Sequence, residues 1–391
     1  LAAVLLISKT IFSVIFSRKI IFFLSRQNAK ISANLISNVL SQPLIQVQRK
    51  SMQQILFTVT SGVDSIVMGV LNASALIVSD ISLLIILGIG LFIVDPLVAF
   101  STLIVFATIA YSLYRQTQSK AIRLGEKQWQ ISIRSSERIL EVLNSYREIV
   151  VRNRRSYYAR EIGKSRYDLA DINAERAFMP NISKYVIEIT VVLGSLAIAA
   201  IQFATNNASR AIAIMSVFLV ASTRIAPAIL RLQQGAVNIK SNIGSAGPTL
   251  DLIEELGVLA QRNEKIDELE FAHDGFKAEI SLQNISLTYP TKSVPAVRDL
   301  TLNINSGEVV AFVGPSGAGK TTIIDVILGV LEPDIGSVTI DGFKPLEAIR
   351  KWPGGIGYVP QDVMISNTTI RENVCFGYSP EGISDQLDRK S

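Results

Sequence analysis

The chain has 391 residues, of which 49% are hydrophobic and 18% charged, and its net charge is +5. Soluble chains carry about 25% charged residues, and the apolar excess here lies in the first 230 residues, so the composition indicates membrane spans instead of one large soluble core. A single cysteine, Cys375, excludes an internal disulfide framework. The basic surplus of residues 115–184 is interpreted as cytoplasmic positive-inside sequence, and no nucleic-acid partner is expected.

Five apolar stretches are long enough to cross a bilayer. They occupy about residues 1–24, 71–94, 97–114, 185–204 and 211–232. The dipeptide at 95–96, Asp-Pro, predicts a tight turn between the second and third stretches, and residues 205–210 predict an outer loop between the fourth and fifth. The segment 115–184 predicts two long amphipathic helices that reach about 45 Å into the cytoplasm. Residues 1–240 are therefore predicted to form a multi-pass helical membrane domain, and residues 241–278 a linker.

Ionisable side chains inside these spans are costly and are functional by default. The candidates for a substrate pathway are Asp80, Glu188, Arg224 and Arg231. A structural alternative stays open, in which Asp80 and Glu188 pair with Arg224 or Lys9 and only hold helices together.

From residue 279 the pattern changes to alternating strands, EISLQNISLTYP at 279–290 and LTLNI at 300–304, which predicts a soluble α/β domain over residues 279–391. Within it, residues 309–328 contain the pattern G-x-x-x-x-G-K-[ST] between a predicted strand, 309–313, and a predicted helix, 322–328. A glycine-rich loop in this context binds phosphate through inward backbone N–H groups and the positive helix N-terminus. The predicted phosphate loop comprises Gly314, Pro315, Ser316, Gly317, Ala318, Gly319, Lys320, Thr321 and Thr322.

Two further residues suit a nucleotide site. Tyr289 ends the first predicted strand and presents a ring that can stack on adenine. Gln361 lies in GYVPQD, on a loop that is predicted to follow a strand, and its side-chain oxygen can ligate magnesium. Each also has an ordinary interpretation, Tyr289 as a core or strand-end aromatic and Gln361 as a loop amide.

Taken together, Tyr289, GPSGAGKTT, GSVTIDG at 336–342, GYVPQD at 357–362 and TIRENVCFG at 369–377 resemble the nucleotide-binding domain of ATP-binding-cassette transporters. The membrane hairpins ahead of a single cassette resemble the exporter type. The resemblance implies that ATP and Mg²⁺ are the cofactors, that Tyr289 stacks on adenine, and that Thr321 and Gln361 ligate the metal. It also implies short coupling helices near residues 47–52 and 152–158.

The same resemblance implies that the chain is truncated at both ends. Exporters of this type have six spans, so the first is expected to be missing and the cassette is expected to be incomplete. The family's signature sequence, its aspartate-glutamate strand with the general base, and its switch histidine are expected beyond Ser391. His273 is interpreted as an exposed linker residue. A fragment without a general base is not expected to hydrolyse ATP alone.

The resemblance implies ATP-driven transport by alternating access in a dimer of half-transporters, homodimeric or heterodimeric, with a bacterial inner membrane as the expected location. Arg224, Pro227 and Arg231 form a pattern that resembles half-transporters that flip lipid-linked oligosaccharides, so an amphipathic, possibly lipid-linked substrate is expected alongside membrane lipids. The alternatives are an ATP-gated channel, a regulatory subunit that does not hydrolyse ATP, and a drug or peptide exporter.

Overall fold

The computed structural model describes residues 2–94, 96–205, 208–256, 273–290, 292–361, 363 and 365–374. Side chains are not described for residues 2–7, 9–10 and several positions of 94–101 and 198–221. The chain forms two compact units, Leu1–Asn263 and Glu264–Ser391.

The first unit is helical. Its α-helices are α1 (Ala2–Leu40), α2 (Leu44–Val47), α3 (Met52–Phe57), α4 (Asn72–Val94), α5 (Pro96–Asn144), α6 (Tyr146–Val151), α7 (Arg155–Thr205), α8 (Ala208–Ser245) and α9 (Gly247–Leu256). Two π-helical segments, Thr58–Gly62 and Ser65–Leu71, join α3 to α4. The break between α1 and α2 falls at Pro43, which lacks an N–H group and caps α2.

Two of the predicted spans continue as single helices into the segment that is predicted to extend into the cytoplasm. Helix α5 has 49 residues and α7 has 51, so each contains one apolar stretch and about half of the segment 115–184. Pro180 lies inside α7 and Pro227 inside α8 without ending either helix. Asp95, Asn206 and Asn207, from the predicted turn and outer loop, lie outside the described residues.

Among the described residues, two segments are long and apolar enough to cross a membrane by length and composition, Met52–Ile93 and Arg155–Ala204. Only 11% and 18% of their most apolar windows are buried inside the chain. A core helix of a soluble protein would bury most of such a window, so these apolar surfaces suit a lipid or protein environment. The other predicted spans lie on α1, α5 and α8 and stay a prediction.

Glycines bring α5 and α8 into backbone contact. A Cβ atom at Gly125 would lie 2.0 Å from the Ser241 carbonyl oxygen, and one at Gly244 would lie 2.2 Å from the Ile122 carbonyl oxygen. Neither position therefore accepts a side chain without separating the helices. Small residues that permit close helix crossings are typical of membrane bundles.

The π-helical segments pack against α1 and α9. Val63 and Val67 are fully buried there beside Leu35 of α1. Two side chains reinforce the contact: Asn28 Nδ2 donates to Asp64 Oδ1 at 2.6 Å, and Thr249 Oγ1 donates to the Thr58 carbonyl at 2.9 Å. The helix 52–94 is thus anchored at its first half by polar contacts as well as by packing.

The second unit contains a three-stranded antiparallel sheet in the order β2-β1-β3. Its elements are β1 (Ile280–Leu287), β2 (Val297–Ile304), α10 (Lys320–Ile327), β3 (Ile335–Ile340), α11 (Pro345–Lys351) and α12 (Ile370–Val374). In the register, Ile280 pairs with Ile304 on one side and with Ile340 on the other. The strands predicted from the EISLQNISL, LTLNI and GSVTIDG patterns are confirmed.

Two predicted strands are wrong. Residues 309–313 form no strand, and Val309 and Val313 are 98% and 92% exposed. Residues 357–360, just before Gln361, are likewise outside any strand. The reason is pairing: a strand buried on both faces needs neighbouring strands, and none of the described residues pairs with either segment.

The end of the predicted linker packs on the second unit. The Asp341 carboxylate accepts hydrogen bonds from the backbone N–H groups of Lys277, Ala278 and Glu279 at 2.8, 3.2 and 2.9 Å. Nearby, Trp352 Nε1 donates to the Asp274 carbonyl at 3.1 Å, and the Phe276 ring lies 5.2 Å from the Trp352 ring. Residues 273–278 therefore pack on the surface of this unit, and Phe276 contacts its hydrophobic cluster.

Candidate nucleotide site and membrane ion pairs

The predicted phosphate loop runs into the first turn of α10. Gly317 and Gly319 have φ angles of +84° and +87°, a backbone region that other residues rarely adopt. A Cβ atom at Gly319 would also lie 2.4 Å from the Ala296 carbonyl oxygen, so this position has two reasons to be glycine. Helix α10 begins at Lys320, and its first hydrogen bond runs from the Ile323 N–H to the Gly319 carbonyl at 3.0 Å.

Lys320 is folded back over the loop. Its Nζ donates to the carbonyl oxygens of Gly314 at 2.9 Å and Pro315 at 2.8 Å, and neither acceptor carries a full charge. The N–H groups of Lys320, Thr321 and Thr322 have no acceptor within the helix because they belong to its first turn. A cation and several free donors thus face one loop, an arrangement that fits a polyphosphate.

Tyr289 contacts the start of α10. Its hydroxyl lies 3.2 Å from Thr322 Oγ1, and Thr322 is buried. The ring itself is only partly buried. The structure therefore brings Tyr289 to the phosphate loop, although the two are 33 positions apart.

Asp334 is a positioning residue that the sequence analysis missed. Its Oδ2 accepts a hydrogen bond from the Thr288 N–H at 2.7 Å, and its own N–H donates to the Ser286 carbonyl at 2.9 Å. These bonds hold the backbone next to Tyr289. The only local signal is an acidic residue after Pro333, and nothing in the sequence relates it to a residue 46 positions away.

No hydrogen bond joins Thr321 and Gln361, the two expected magnesium ligands, in the described part of the chain. Thr321 and Gln361 are both exposed, and no hydrogen bond in the described part of the chain joins Gln361 to the loop. Among the described residues there is also no cluster of three His, Cys, Asp or Glu side chains that could hold a metal ion.

The TIRENVCFG motif begins with a capping pair, in which Thr369 N–H donates to Glu372 Oε2 at 2.9 Å, and Cys375 lies outside the described residues.

The membrane candidates separate into two ion pairs and one isolated cation. Arg231 of α8 binds Asp80 of α4 through its Nε and Nη2 atoms. Glu188 lies 3.9 Å from Lys184, one turn earlier on α7, and both are exposed. Arg224 is exposed and makes no ion pair with another described residue. Asp80 therefore pairs with Arg231 and not with Arg224, and the side chain of Lys9, the other partner considered from the sequence, lies outside the described part of the chain.

Comparisons with known proteins agree with this architecture. Residues 297–390 match the family model described as ABC transporter. A stretch of 115 residues is 35% identical to an ATP-dependent lipid A-core flippase of Thiobacillus denitrificans, covering 28% of this chain and 19% of the flippase. A stretch of 133 residues is 34% identical to a colicin V secretion/processing ATP-binding protein of Escherichia coli, covering 34% of this chain and 18% of that protein. A stretch of 104 residues is 38% identical to a mitochondrial potassium channel ATP-binding subunit of Mus musculus, covering 26% and 14%.

The fold as a whole is similar to a solved structure described as a bacterial Atm1-family ABC exporter with ATP bound. The TM-score is 0.74 at 16% identity, and the match covers 96% of this chain and 65% of the other. The chain thus spans only part of the proteins it matches. The predicted fold class is confirmed: the chain has the fold of an exporter-type ATP-binding-cassette transporter, and its residues 297–390 match the ABC transporter family model.

Proposed function

We propose that this chain is part of an ATP-driven exporter that moves an amphipathic substrate across a bacterial inner membrane as a dimer of half-transporters. The observation that carries the proposal is the loop before α10, where Lys320 and the free N–H groups of a helix N-terminus face one cradle. The same chain contains apolar helices in an exporter fold. A phosphate cradle and a membrane bundle in one chain suit a pump.

The nucleotide contacts in this proposal follow the loop. Residues 314–322 hold the phosphates, Tyr289 stacks on the base, and Thr321 and Gln361 take Mg²⁺. Bound ATP supplies the free energy for switching between access states. Lys320 already lies within hydrogen-bond distance of two loop carbonyls, so it exchanges neutral acceptors for phosphate oxygens when nucleotide binds.

For the substrate we propose a lipid-linked molecule with an anionic head. The support is Arg224, which lies about 20 Å along α8 from the predicted outer end of its span at ~1.5 Å per residue. Arginine's planar fork suits phosphate. One similar protein, that of Thiobacillus denitrificans, is named an ATP-dependent lipid A-core flippase. Asp80 and Arg231 are less suited to contact substrate because they bind each other.

A second candidate function is an ATP-gated channel or its regulatory subunit. The relative named as a mitochondrial potassium channel ATP-binding subunit favours it, at 38% identity. The two candidates differ in what nucleotide does: a pump must hydrolyse ATP in every cycle, whereas a gate needs only binding.

The test uses the protein expressed with whatever coding sequence flanks residues 1–391, reconstituted in proteoliposomes. We expect Lys320→Ala to abolish ATP hydrolysis and substrate translocation, because the phosphates lose their fixed cation. Lys344→Ala, an exposed lysine of the same unit, is the control and should retain both activities. Hydrolysis by Lys320→Ala within twofold of wild type would contradict the phosphate-loop assignment. Ion flux that a non-hydrolysable ATP analogue opens would favour the channel.

A further inference from the structure

A small cavity of about 250 Å³ lies between α7 and α8, and neither Asp80 nor Arg231 lines it. Its polar lining consists of Asn173 and Arg176 of α7 and Asn238 and Ser241 of α8. All four side chains carry hydrogen-bond donors, and no carboxylate lines the cavity.

Part of the lining of this cavity is apolar and buried. Met179 and Val237 line it and are 1% and 4% exposed, and they pack with Ala121 of α5. These apolar side chains offer the polar lining groups almost no hydrogen-bonding capacity.

Two of the lining groups lack the partners that such groups need. Ser241 is 4% exposed, and its hydroxyl has no hydrogen-bond partner in the described part of the chain. Arg176 is half-buried and forms no ion pair with any described residue. The adjacent acid, Glu175, is already bound to Lys120 of α5. A buried unsatisfied hydroxyl and a half-buried unpaired cation each raise the free energy of the folded state.

We propose that this cavity is a binding site for a phosphate group. The guanidinium fork has donors only, and the two amides and the hydroxyl each have at least one donor. A tetrahedral anion with several acceptor oxygens can accept from all of them together. Arg176 lies about 13 Å along α7 before the predicted span that starts at residue 185, at ~1.5 Å per residue. This is the cytoplasmic side of the proposed topology, where both a lipid phosphate and dissolved phosphate have access. That the phosphate belongs to a lipid rests on the proposed membrane function. That the cavity binds a phosphate group does not.

The experiment measures binding without nucleotide, by titration calorimetry on the full-length protein in detergent. All samples carry Lys320→Ala so that the nucleotide loop does not contribute. The probes are dioctanoyl phosphatidic acid, inorganic phosphate, and dioctanoylglycerol as the same lipid without phosphate. Arg176→Gln removes the charge, and Ser241→Ala removes one oxygen. Arg166→Gln, an exposed arginine of the same helix without an ion pair among the described residues, is the matched control.

We expect saturable binding of at least one phosphate-bearing probe and none of dioctanoylglycerol. Arg176→Gln should weaken the binding at least about tenfold, Ser241→Ala about three- to tenfold, and Arg166→Gln less than about twofold. Phosphatidic acid binding at least about tenfold tighter than inorganic phosphate identifies a lipid headgroup as the source, and equal affinities identify free phosphate.

The proposal is overturned if neither phosphate probe binds, or if Arg176→Gln and Arg166→Gln bind alike. Size-exclusion elution and thermal unfolding check that each variant is folded. Should Arg176→Gln fail to fold, Ser241→Ala decides alone, since unchanged affinity in that variant contradicts the site. ATP hydrolysis and transport do not enter the measurement, so failure of the proposed pump and failure of this site are distinguishable.

Discussion

Arg231 of α8 binds the carboxylate of Asp80 of α4. Its Nε atom lies 3.0 Å from both carboxylate oxygens and its Nη2 atom 2.6 Å from Oδ1. The Asp80 side chain is 10% exposed and that of Arg231 is 52% exposed. Because the acid is the buried partner, removal of the cation leaves an uncompensated charge. We expect Arg231→Ala to destabilise the protein by about 1–3 kcal/mol, and the double variant with Asp80→Ala by less.

Thermal unfolding in detergent measures both variants. Lys184→Ala, which removes the long and exposed pair with Glu188, is the control and should change stability by less than about 0.5 kcal/mol. If the double variant has a lower free energy of unfolding than Arg231→Ala, the unpaired Asp80 carboxylate does not destabilise the folded state. The ion pair would then not be a structural link between the two helices. A charge swap, Asp80→Arg with Arg231→Asp, that restores stability but not transport would return both residues to the substrate pathway.

Tyr289 has two roles that substitution can separate. Tyr289→Ala removes the ring and should weaken ATP binding by about 1–3 kcal/mol. Tyr289→Phe keeps the ring and removes only the hydroxyl that lies 3.2 Å from Thr322 Oγ1, so it should retain nearly wild-type affinity. Equilibrium binding of a fluorescent ATP analogue distinguishes them. Equal losses in the two variants would show that the contact with Thr322, and not stacking, is what matters.

Asp341 makes the second unit sensitive to acid. Burial opposes ionisation, but the N–H groups of Glu279, Lys277 and Ala278 outweigh it and hold the pKa of the carboxyl below its ordinary value of 3.8. A depressed pKa contributes stability above the ordinary value, and this contribution is lost as the pH falls through the folded-state pKa. Asp341→Asn should therefore cost about 1 kcal/mol at neutral pH and less near pH 3.

Hydrogen exchange of the amides at 277–279 is the local readout. It should be faster in Asp341→Asn at pH 7, whereas Asp274→Asn, a nearby exposed carboxylate, should leave it unchanged. Equal protection in the wild type and in Asp341→Asn would show that the carboxylate does not secure this segment.

The proposed topology places the start of α8 outside and the turn before α7 in the cytoplasm. In a Cys375→Ser background, Ala208→Cys should react with a membrane-impermeant maleimide in intact cells, and Arg154→Cys only after permeabilisation. Both positions are exposed, so labelling reports side and not burial. Reaction of both from one side would refute the hairpin arrangement.

The parts of the fold that were predicted correctly depend on local patterns. Strands β1, β2 and β3 alternate apolar and polar residues, and the phosphate loop is encoded within nine consecutive positions. The failed strand at 309–313 has an equally apolar sequence, but a central strand is stabilised by its neighbours and not by its own composition.

The site residues that were missed or misassigned depend on contacts between distant positions. Asp80 and Arg231 are 151 positions apart, and the sequence offered several other cations for Asp80. Asp334 accepts a hydrogen bond from the N–H of Thr288, the residue before Tyr289, although the two are 46 positions apart. Short polar side chains of this kind carry no periodic signal, so only the folded geometry identifies their partners.

The close approach of Gly125 and Gly244 has a mechanical consequence for α5. Since the backbones already touch there, the two helices change their angle more easily than their separation, and the crossing behaves as a pivot. The arm from Pro96 to Gly125 is about 43 Å long and the arm from Gly125 to Asn144 about 28 Å, at ~1.5 Å per residue. A rotation of about 10° about this point moves the far ends by roughly 8 and 5 Å in opposite directions. A small tilt of α5 on one side of the crossing thus displaces its other end by several ångströms.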